Sequence, residues 1–171
     1  MQIIFERSKE TKMEIEIRKG EKKDIPQVLE LIKELALYER APNEVITSVE
    51  QMERDGFGED AVFRFLVAES EKKIIGIALY YTAYSTWKGK YIYLDDLIVT
   101  EKLRRSGTGK LLFDALVKET QREGANQLRW HVLEWNTPAI NFYKKYNATL
   151  DPEWITGKLE KEQIENFNAE Q

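Results

Sequence analysis

A turn rich in glycine and arginine is the first candidate for chemistry in this sequence. The segment LRRSGTGKLLFDALVKE, residues 103–119, places Arg104, Gly107 and Gly109 between a strand-like run and a helical run. Glycine lets a ligand approach the backbone closely, and the first turn of a helix offers unpaired N–H groups at the positive end of its dipole. Such a turn suits a phosphorylated ligand.

Three phosphorylated ligands could suit such a turn: a nucleoside triphosphate, a dinucleotide and the pyrophosphate of coenzyme A. The motif excludes the first two. A nucleoside triphosphate loop requires GxxxxGK[ST], but Arg104 stands in place of the first glycine and Leu111 in place of the hydroxyl residue. A dinucleotide fingerprint requires a third glycine where Leu112 stands. The pyrophosphate of coenzyme A remains, and Arg104 and Arg105 would add positive charge. A tight strand-to-helix turn with solvated arginines explains this motif equally well.

Composition restricts the class of protein. The chain has 171 residues, 42% of them hydrophobic and 33% charged, as expected for one globular domain. It has no cysteine and a single histidine, His131, which excludes thiolate chemistry and disfavours a metal centre. The net charge of −4 without a basic stripe disfavours a nucleic-acid partner, and no apolar run approaches the ~18 residues of a membrane span. We therefore expect a cytoplasmic protein without metal, nucleic acid or membrane partners.

The elements that must position the turn follow from periodicity and capping signals. Alternating patterns predict strands over residues 14–18, 63–69, 74–85, 91–100 and 127–133, with the second and third joined as a hairpin. Helical spacing predicts a helix from the N-cap Asp24 to Tyr38 and Glu39, a short one over 47–54, one from Thr108 to Gly124, and one from the N-cap Asn136 to Lys145. A short strand or hairpin around 154–159 closes the domain.

This order of elements predicts an α/β domain with one mixed sheet covered by helices. Residues 1–12 are interpreted as an N-terminal extension whose apolar run could pair as an edge strand. The domain itself is expected over residues 13–160, and residues 161–171 are expected to form a polar tail.

The motif Arg104-x-x-Gly107-x-Gly109 after a strand, within this order of elements, resembles the GNAT family of acetyl-CoA-dependent N-acetyltransferases. Five segments are similar to its diamine acetyltransferase branch, the spermidine/spermine and thialysine acetyltransferases: LIKELALYE, DGFGED, YSTWKGK, YLDD and EWNTPAINFYKK. The resemblance extends from about Ile15 to Trp154. It implies the GNAT fold, with a mixed, mostly antiparallel sheet of about six to seven strands flanked by about four helices. It also implies a homodimer in which Trp154 completes the partner's site.

The resemblance implies acetyl-CoA as co-substrate, without a metal. The strand before the turn would hold the pantetheine arm through its backbone, the turn would surround the pyrophosphate, and the last helix would line the far side of the ligand and bring a tyrosine to the sulfur. The residues so implied are Leu97, Ile98 and Val99; Arg104, Arg105, Ser106, Gly107, Thr108, Gly109 and Lys110; and Asn136, Thr137, Pro138, Ala139 and Tyr143.

Acetyl transfer to an amine requires an unprotonated nitrogen, although an alkyl amine with a pKa of about 10.4 is almost fully protonated at neutral pH. A base must take this proton, and an acid should protonate the departing thiolate. Because no cysteine can carry an acetyl intermediate, direct transfer in a ternary complex is expected. The resemblance implies Tyr143 as the acid, against the alternative of a core aromatic, and Asp95 as the group beside the amine. Relatives carry Glu at that position, so the identity of the base stays open.

The resemblance further implies a set of residues that contact the amine: Tyr38, Glu39, Trp87, Asp95, Asp96, Arg129, Trp130, His131 and Trp154. Strand alternation predicts that the carboxylates of Asp95 and Asp96 lie on opposite faces. His131, a lone strand histidine, is interpreted as a hydrogen-bonded core residue and not as a base.

The residue at Ser85 bears on which amine is used. Polyamine-preferring relatives carry an acid there, so its loss favours a small diamine or a lysine analogue such as thialysine over spermine. Two alternatives stay open: an enzyme that acetylates protein lysines or N-termini, and a non-catalytic module that binds coenzyme A.

Overall fold

The structure is a computed structural model that describes residues 13–167, so the expected N-terminal extension lies outside the described residues. The chain divides into two compact units at His131 and Val132. The first unit holds strands β1 (Glu16–Lys19), β2 (Arg64–Ser70), β3 (Lys73–Ser85), β4 (Gly89–Val99) and β5 (Gln127–Arg129), with helices α1 (Ile25–Tyr38), α2 (Val49–Phe57) and α3 (Thr108–Arg122). The second unit holds α4 (Thr137–Lys144) and the short α5 (Lys161–Glu165).

The strands form one sheet in the order β1-β2-β3-β4-β5. Strands β1 to β4 pair with one another in antiparallel fashion. Strand β5 pairs with β4 in parallel. The predicted mixed, mostly antiparallel sheet is therefore confirmed, with five strands in the described residues where six to seven were expected. No helix in the described part of the chain has the length and apolar character needed to cross a membrane.

Two predicted strands differ in the structure. The strand expected over 127–133 ends at Arg129, and residues 154–159 form no strand within the described range. Residues 151–160 are all exposed, so their side chains gain no burial that would fix an extended pairing. The expected polar tail contains α5, and the short second helix continues through Gly56 to Phe57 because Gly58 accommodates its end.

Both faces of the sheet are covered by helices. Val67, Ile77, Leu79 and Ile98 belong to the core cluster formed with α1 and α2. The opposite face packs on α3: Gly76 lies so near Leu112 that a Cβ there would come within 3.1 Å of its Cδ1. A fully buried aliphatic side chain contributes roughly 1.5–3 kcal/mol, so these two layers hold the first unit together.

Asp24 fixes the start of α1 in a way that differs from the prediction. It occupies the N-cap position without a side-chain capping bond. Its carboxylate instead accepts hydrogen bonds from the Arg18 guanidinium at 2.7 and 2.9 Å and from the Glu21 N–H at 2.8 Å. Arg18 Nε also donates to Glu69 on β2 at 2.8 Å. The hydrogen bond from Arg18 is the main cause that lowers the pKa of the buried Asp24 carboxyl.

Replacing Asp24 with Asn is expected to lower the free energy of unfolding by about 2–4 kcal/mol at neutral pH, because Arg18 loses one of its two charged acceptors and keeps only Glu69. The pKa of Asp24 is lowered in the folded protein, so its contribution is present above the pKa of an unfolded Asp, about 3.9, and is lost as the pH falls through the folded-state pKa. Urea unfolding of the wild type and Asp24→Asn should therefore converge in acid.

The matched control is Asp60→Asn, which changes an exposed carboxylate and should alter stability by less than about 0.5 kcal/mol. A loss for Asp24→Asn that is equally large in acid and at neutral pH would contradict the ionic origin of this contribution.

Candidate active site

The glycine turn before α3 leaves open space beside its backbone. Gly107 has a left-handed conformation with a φ of 90° and forms the N-cap of α3, and Arg105 has a φ of 66°. A Cβ built on Gly107 would meet no protein atom within 4 Å, whereas one on Gly109 would make an ordinary contact of 3.8 Å with Val99. The first N–H groups of α3 have no partner within the helix, so the turn can accept an anionic ligand.

The two arginines of the turn have different surroundings. Arg104 donates to the Val99 carbonyl at 3.3 Å, lies 3.9 Å from Glu34 and covers the ring of Tyr38 at 4.5 Å. Glu34 also accepts hydrogen bonds from the Thr100 hydroxyl at 3.0 Å and the Glu101 N–H at 2.5 Å. Arg104 therefore holds the turn to α1, where it packs on Tyr38, a residue predicted to contact the amine.

Arg105 is the exposed arginine of the turn. Lys110 is also exposed and forms an ion pair with Asp114 one helical turn away. Ser106 and Thr108 share a hydrogen bond of 2.6 Å between their hydroxyls, which stiffens the backbone on either side of Gly107.

An unpaired strand edge leads into this turn. The pairing of β4 with β5 ends at Tyr93 and Arg129. Beyond this point β4 still pairs with β3, with Leu97 opposite Ala78 and Val99 opposite Gly76. No strand of the described residues pairs with the other edge there, and its N–H and C=O groups can bind an extended ligand as an added strand would.

A β-bulge in β4 places two adjacent carboxylates on one face of the sheet. Leu79 pairs with Asp96 and Tyr80 with Leu94, so Asp95 has no partner on β3. Alternation from Leu94, on the α3 face, puts Asp95 on the α1 face. Pairing with Leu79, a residue of the α1 core cluster, puts Asp96 on that same face. The prediction that they lie on opposite faces was therefore wrong, because the extra residue cancels one step of alternation.

Burial changes the acidity of three carboxyl groups at this place. It is the main cause that raises the pKa of Asp96 to about 7, and the negative charges of Asp95 and Glu39 raise it further. Asp95 keeps an exposed side chain, yet the loss of hydration next to the surrounding side chains raises its pKa, and the nearby His131 opposes this effect. Burial also raises the pKa of Glu39 at the end of α1. A cation placed among Asp95, Asp96 and Glu39 would relieve their repulsion, so the group is suited to bind an ammonium.

Aromatic side chains lie next to this group on the same face. Tyr81 and Tyr93 stack with their ring centroids 5.1 Å apart, and the Tyr93 hydroxyl hydrogen-bonds Nδ1 of His131. Burial is the main cause that raises the pKa of Tyr81 and raises that of Tyr93 to about 12, with Asp95 contributing to both. Both phenols therefore stay protonated at neutral pH. Neither Tyr81 nor Tyr93 was predicted from the sequence, although the spacing of Tyr91, Tyr93 and Asp95 at every second residue could have indicated Tyr93.

The remaining residues expected at the amine are more dispersed. Arg129 is on the α1 face but lies 4.4 Å over the ring of Tyr91 and binds the Gln127 side chain. Trp130 is on the opposite face, edge-on to Phe113 of α3 at 5.5 Å, so the structure does not bring it to the acids. Trp87 is 83% exposed at the tip of the β3–β4 hairpin. The strand between separates it from Asp95 by roughly 20 Å.

Ser85 has a structural task at that tip. Its hydroxyl accepts hydrogen bonds from the N–H groups of Trp87 at 3.3 Å and Lys88 at 3.2 Å. Serine is common in turns because its hydroxyl can satisfy backbone donors in this way.

The second unit contains the remaining candidates. Asn136 caps α4 as predicted, since its side chain accepts a hydrogen bond from the Ala139 N–H at 3.2 Å, and Pro138 lies in the first turn. Tyr143 is a buried residue of α4 whose ring meets Phe142 edge-on at 5.2 Å. Trp154 is 75% exposed, and its Nε1 donates to Asp151 at 3.0 Å.

Comparison with known proteins gives the family. Residues 26–148 match the model of the acetyltransferase (GNAT) family. The thialysine N-epsilon-acetyltransferase of Bos taurus is 39% identical over 140 residues, which cover 77% of this chain and 82% of the relative. The enzyme of the same name from Mus musculus is 34% identical over 157 residues, 85% of this chain and 92% of the relative.

A solved structure shares the fold. The aminoglycoside N-acetyltransferase AAC(6')-Iy in complex with CoA superimposes with a TM-score of 0.69 at 16% identity, covering 86% of this chain and 95% of that one. The predicted fold is therefore confirmed, and the family match spans well over half of the sequence. The chain belongs to the GNAT family of acetyltransferases and is an acyltransferase.

Proposed function

We propose that the protein transfers the acetyl group of acetyl-CoA to a primary amine of a small lysine analogue, such as thialysine, or of a short diamine. The observation that carries this proposal is the bulge in β4, which turns Asp95 and Asp96 to one face beside Glu39. Three carboxylates select a cationic amine, and they lie beside the edge of β4 that leads to the glycine turn. The relatives named as thialysine acetyltransferases support the same substrate class.

The open turn and the unpaired strand edge fit coenzyme A. The open space beside Gly107 and the first N–H groups of α3 suit a pyrophosphate, and the exposed Arg105 and Lys110 supply positive charge. The backbone of Leu97, Ile98 and Val99 would hold the pantetheine arm. When bound, the co-substrate supplies an activated acetyl thioester. A protein of this fold has been solved with CoA, which supports the assignment.

Further residues assigned to the co-substrate follow from the family resemblance. Ser106, Thr108 and Gly109 complete the turn, and Asn136, Thr137, Pro138 and Ala139 form the capped start of α4. Arg104 acts on this site by holding the turn to α1.

At the amine, we assign complementary tasks to the carboxylates. Asp95 lies exposed at the bulge and takes the proton from the substrate ammonium, directly or through water. Asp96 and Glu39 hold the positive charge of the substrate, whose ammonium stabilises the ionised form of Asp96. From the family resemblance we assign to Tyr143 the donation of a proton to the departing thiolate sulfur, which makes the thiol a better leaving group. Transfer is then direct, within a ternary complex.

The tip of the β3–β4 hairpin, where Ser85 lies, favours a short amine over a long polyamine. The Ser85 hydroxyl is used by the turn, and this position offers no carboxylate to a distant second or third ammonium. A long polyamine therefore gains less attraction here than it would from an acid at the same position.

The test of the proposed function is thiol release from acetyl-CoA with a panel of amines: thialysine, a short diamine, spermidine, spermine and a lysine-containing peptide. We expect kcat/KM to be highest for thialysine or the short diamine. A strong preference for spermine or for the peptide would contradict the proposed substrate class. Binding of coenzyme A without turnover of any amine would instead identify a non-catalytic module.

Within this panel, Tyr143→Phe is expected to reduce kcat by about 100-fold while coenzyme A affinity is maintained, as is typical of the loss of a general acid. Tyr146→Phe removes a hydroxyl from the same unit and serves as the control, with turnover near that of the wild type.

The glycine turn makes a separate prediction about coenzyme A. Gly107 and Gly124 both have positive φ, 90° and 61°, and a Cβ on either would meet no protein atom within 4 Å. Alanine at either position should therefore lower stability to a similar extent, by roughly 1–2 kcal/mol. Only Gly107→Ala should weaken coenzyme A binding, by tenfold or more in calorimetry, because its methyl group enters the space assigned to the ligand. Equal affinity in the two variants would contradict this placement.

Asp96 is expected to lower stability in the free enzyme. Its pKa is raised to about 7 in the folded protein, so it binds its proton more tightly when folded, and stability falls as the pH rises from about 4 to about 7. Asp96→Asn mimics the protonated form and should unfold less readily than the wild type above neutral pH, by roughly 2–4 kcal/mol. The difference should vanish near pH 4.

The same variant should raise KM for the amine, since one carboxylate is missing from the cation site. Asp60→Asn, at an exposed position, should change neither property. If Asp96→Asn gains no stability above neutral pH, then Asp96 does not lie in the desolvated cluster described above.

A further inference from the structure

His131 and Tyr93 form a pair whose position differs from that of a core histidine. His131 is exposed, and its Nδ1 lies in a hydrogen bond with the Tyr93 hydroxyl. The two rings also meet edge-on, with centroids 5.6 Å apart. The ring is thus held by two contacts with Tyr93, and its Nε2 is the nitrogen that this hydrogen bond leaves unused.

The pair lies on the same face of the sheet as the carboxylates. Tyr93 pairs with Arg129 across β4 and β5, and His131 follows Arg129 by two residues, as does Asp95 after Tyr93. The Asp95 carboxyl and the His131 imidazole are close enough for the charge of His131 to favour the ionised form of Asp95. Other ionisable groups around the pair include Tyr81 on β3, Tyr91 on β4 and Arg129 on β5. Glu39, directly after α1, lies beside Asp96.

A carboxylate alone is too weak a base to deprotonate an alkyl ammonium to a large extent. The ordinary pKa of Asp, about 3.9, lies more than six units below the value of about 10.4 for the amine, whereas an imidazole is intrinsically a much stronger base than a carboxylate. Proton transfer from the amine to an imidazole, whose ordinary pKa is about 6.5, is therefore less unfavourable by roughly two to three pKa units. The chain has only one such group, and it lies beside Asp95.

We propose that His131, oriented by Tyr93, is the final acceptor of the proton that Asp95 removes from the substrate ammonium. This inference rests on the proposed amine acetylation and identifies a further residue for that reaction. Tyr93 is a positioning residue: its hydroxyl accepts the Nδ1–H of His131, which fixes the tautomer that presents the Nε2 lone pair.

The proton balance of this step is simple. The ammonium N–H bond breaks and leaves its electron pair on the nitrogen, which becomes the nucleophile. The proton passes to a carboxylate oxygen of Asp95 and then to Nε2 of His131, directly or through a water molecule. Asp95 ends ionised and His131 ends as an imidazolium, and the two opposite charges attract each other.

The first measurement is the pH profile of His131→Asn. Asparagine can still bond the Tyr93 hydroxyl but takes no proton, and the exposed position should tolerate it. At neutral pH we expect kcat/KM for the best amine of the panel to fall by about 10- to 100-fold, within or somewhat below the range for general base catalysis. The deficit should shrink as the pH approaches the pKa of the amine, about 10.4. It should also be small for an amine already neutral in the assay, such as trifluoroethylamine.

The second measurement uses the single histidine as a spectroscopic reporter. Proton NMR of the imidazole, recorded without acetyl-CoA, reports His131 alone. We expect Asp95→Asn and Tyr93→Phe each to change the chemical shifts of the imidazole, because each removes a polar group that lies near the ring. Tyr81→Phe, which keeps the ring stacked on Tyr93, should change them less.

The outcomes separate this inference from the proposed function. Wild-type-like kcat/KM in His131→Asn at neutral pH would overturn the role of His131 while amine acetylation stands. A loss that is equal at every pH and equal for the neutral amine would also overturn it, in favour of a structural role. Failure of the wild type to acetylate any amine would refute the proposed function, and with it the proton transfer, even where NMR detects the coupling to Asp95.

Discussion

The bulge at Asp95 is the constraint on which the site depends. One extra residue in β4 resets the alternation of side chains, so two adjacent carboxylates share a face that regular pairing would divide between them. Pairing between β4 and β5 ends two residues earlier, at Tyr93 and Arg129, which leaves the following edge of β4 unpaired. The same stretch of strand thus supplies an acidic group on its face and open backbone groups along its edge.

Helix α1 couples the two ends of this site. Glu34 and Tyr38 hold the glycine turn through Arg104, and Glu39, directly after the helix, joins the carboxylates on β4. The helix is itself fixed by its apolar face and by the ion pair of Arg18 with Asp24 at its start. Because a helix has a fixed rise of about 1.5 Å per residue, α1 fixes the separation along the chain between Glu34, which contacts Arg104 of the turn, and Glu39, which belongs to the acidic group.

Local signals in the sequence predicted most elements but not the register that creates the site. Helix spacing, the Asn136 cap and the β2–β3 hairpin were recovered because they depend on neighbours within a few residues. The faces of Asp95 and Asp96 were mistaken because a bulge is defined by pairing with β3, which alternation along β4 does not contain. Residues 154–159 showed a strand-like pattern, yet they are exposed and unpaired within the described residues.

Adjacent residues of the same type have different surroundings in this site, as the two arginines of the turn and the two aspartates of β4 show. Arg104 and Arg105 are adjacent, yet Arg104 lies against α1 whereas Arg105 is exposed in a left-handed conformation. Asp95 and Asp96 are adjacent as well, and the bulge leaves Asp95 exposed while burial raises the pKa of Asp96 to about 7. In both pairs, adjacent residues of the same type therefore differ in exposure and in the groups they contact. A half-buried carboxylate whose charge is unfavourable in the free protein is stabilised when a cation binds beside it, and this is the physical basis of the preference for an ammonium proposed above.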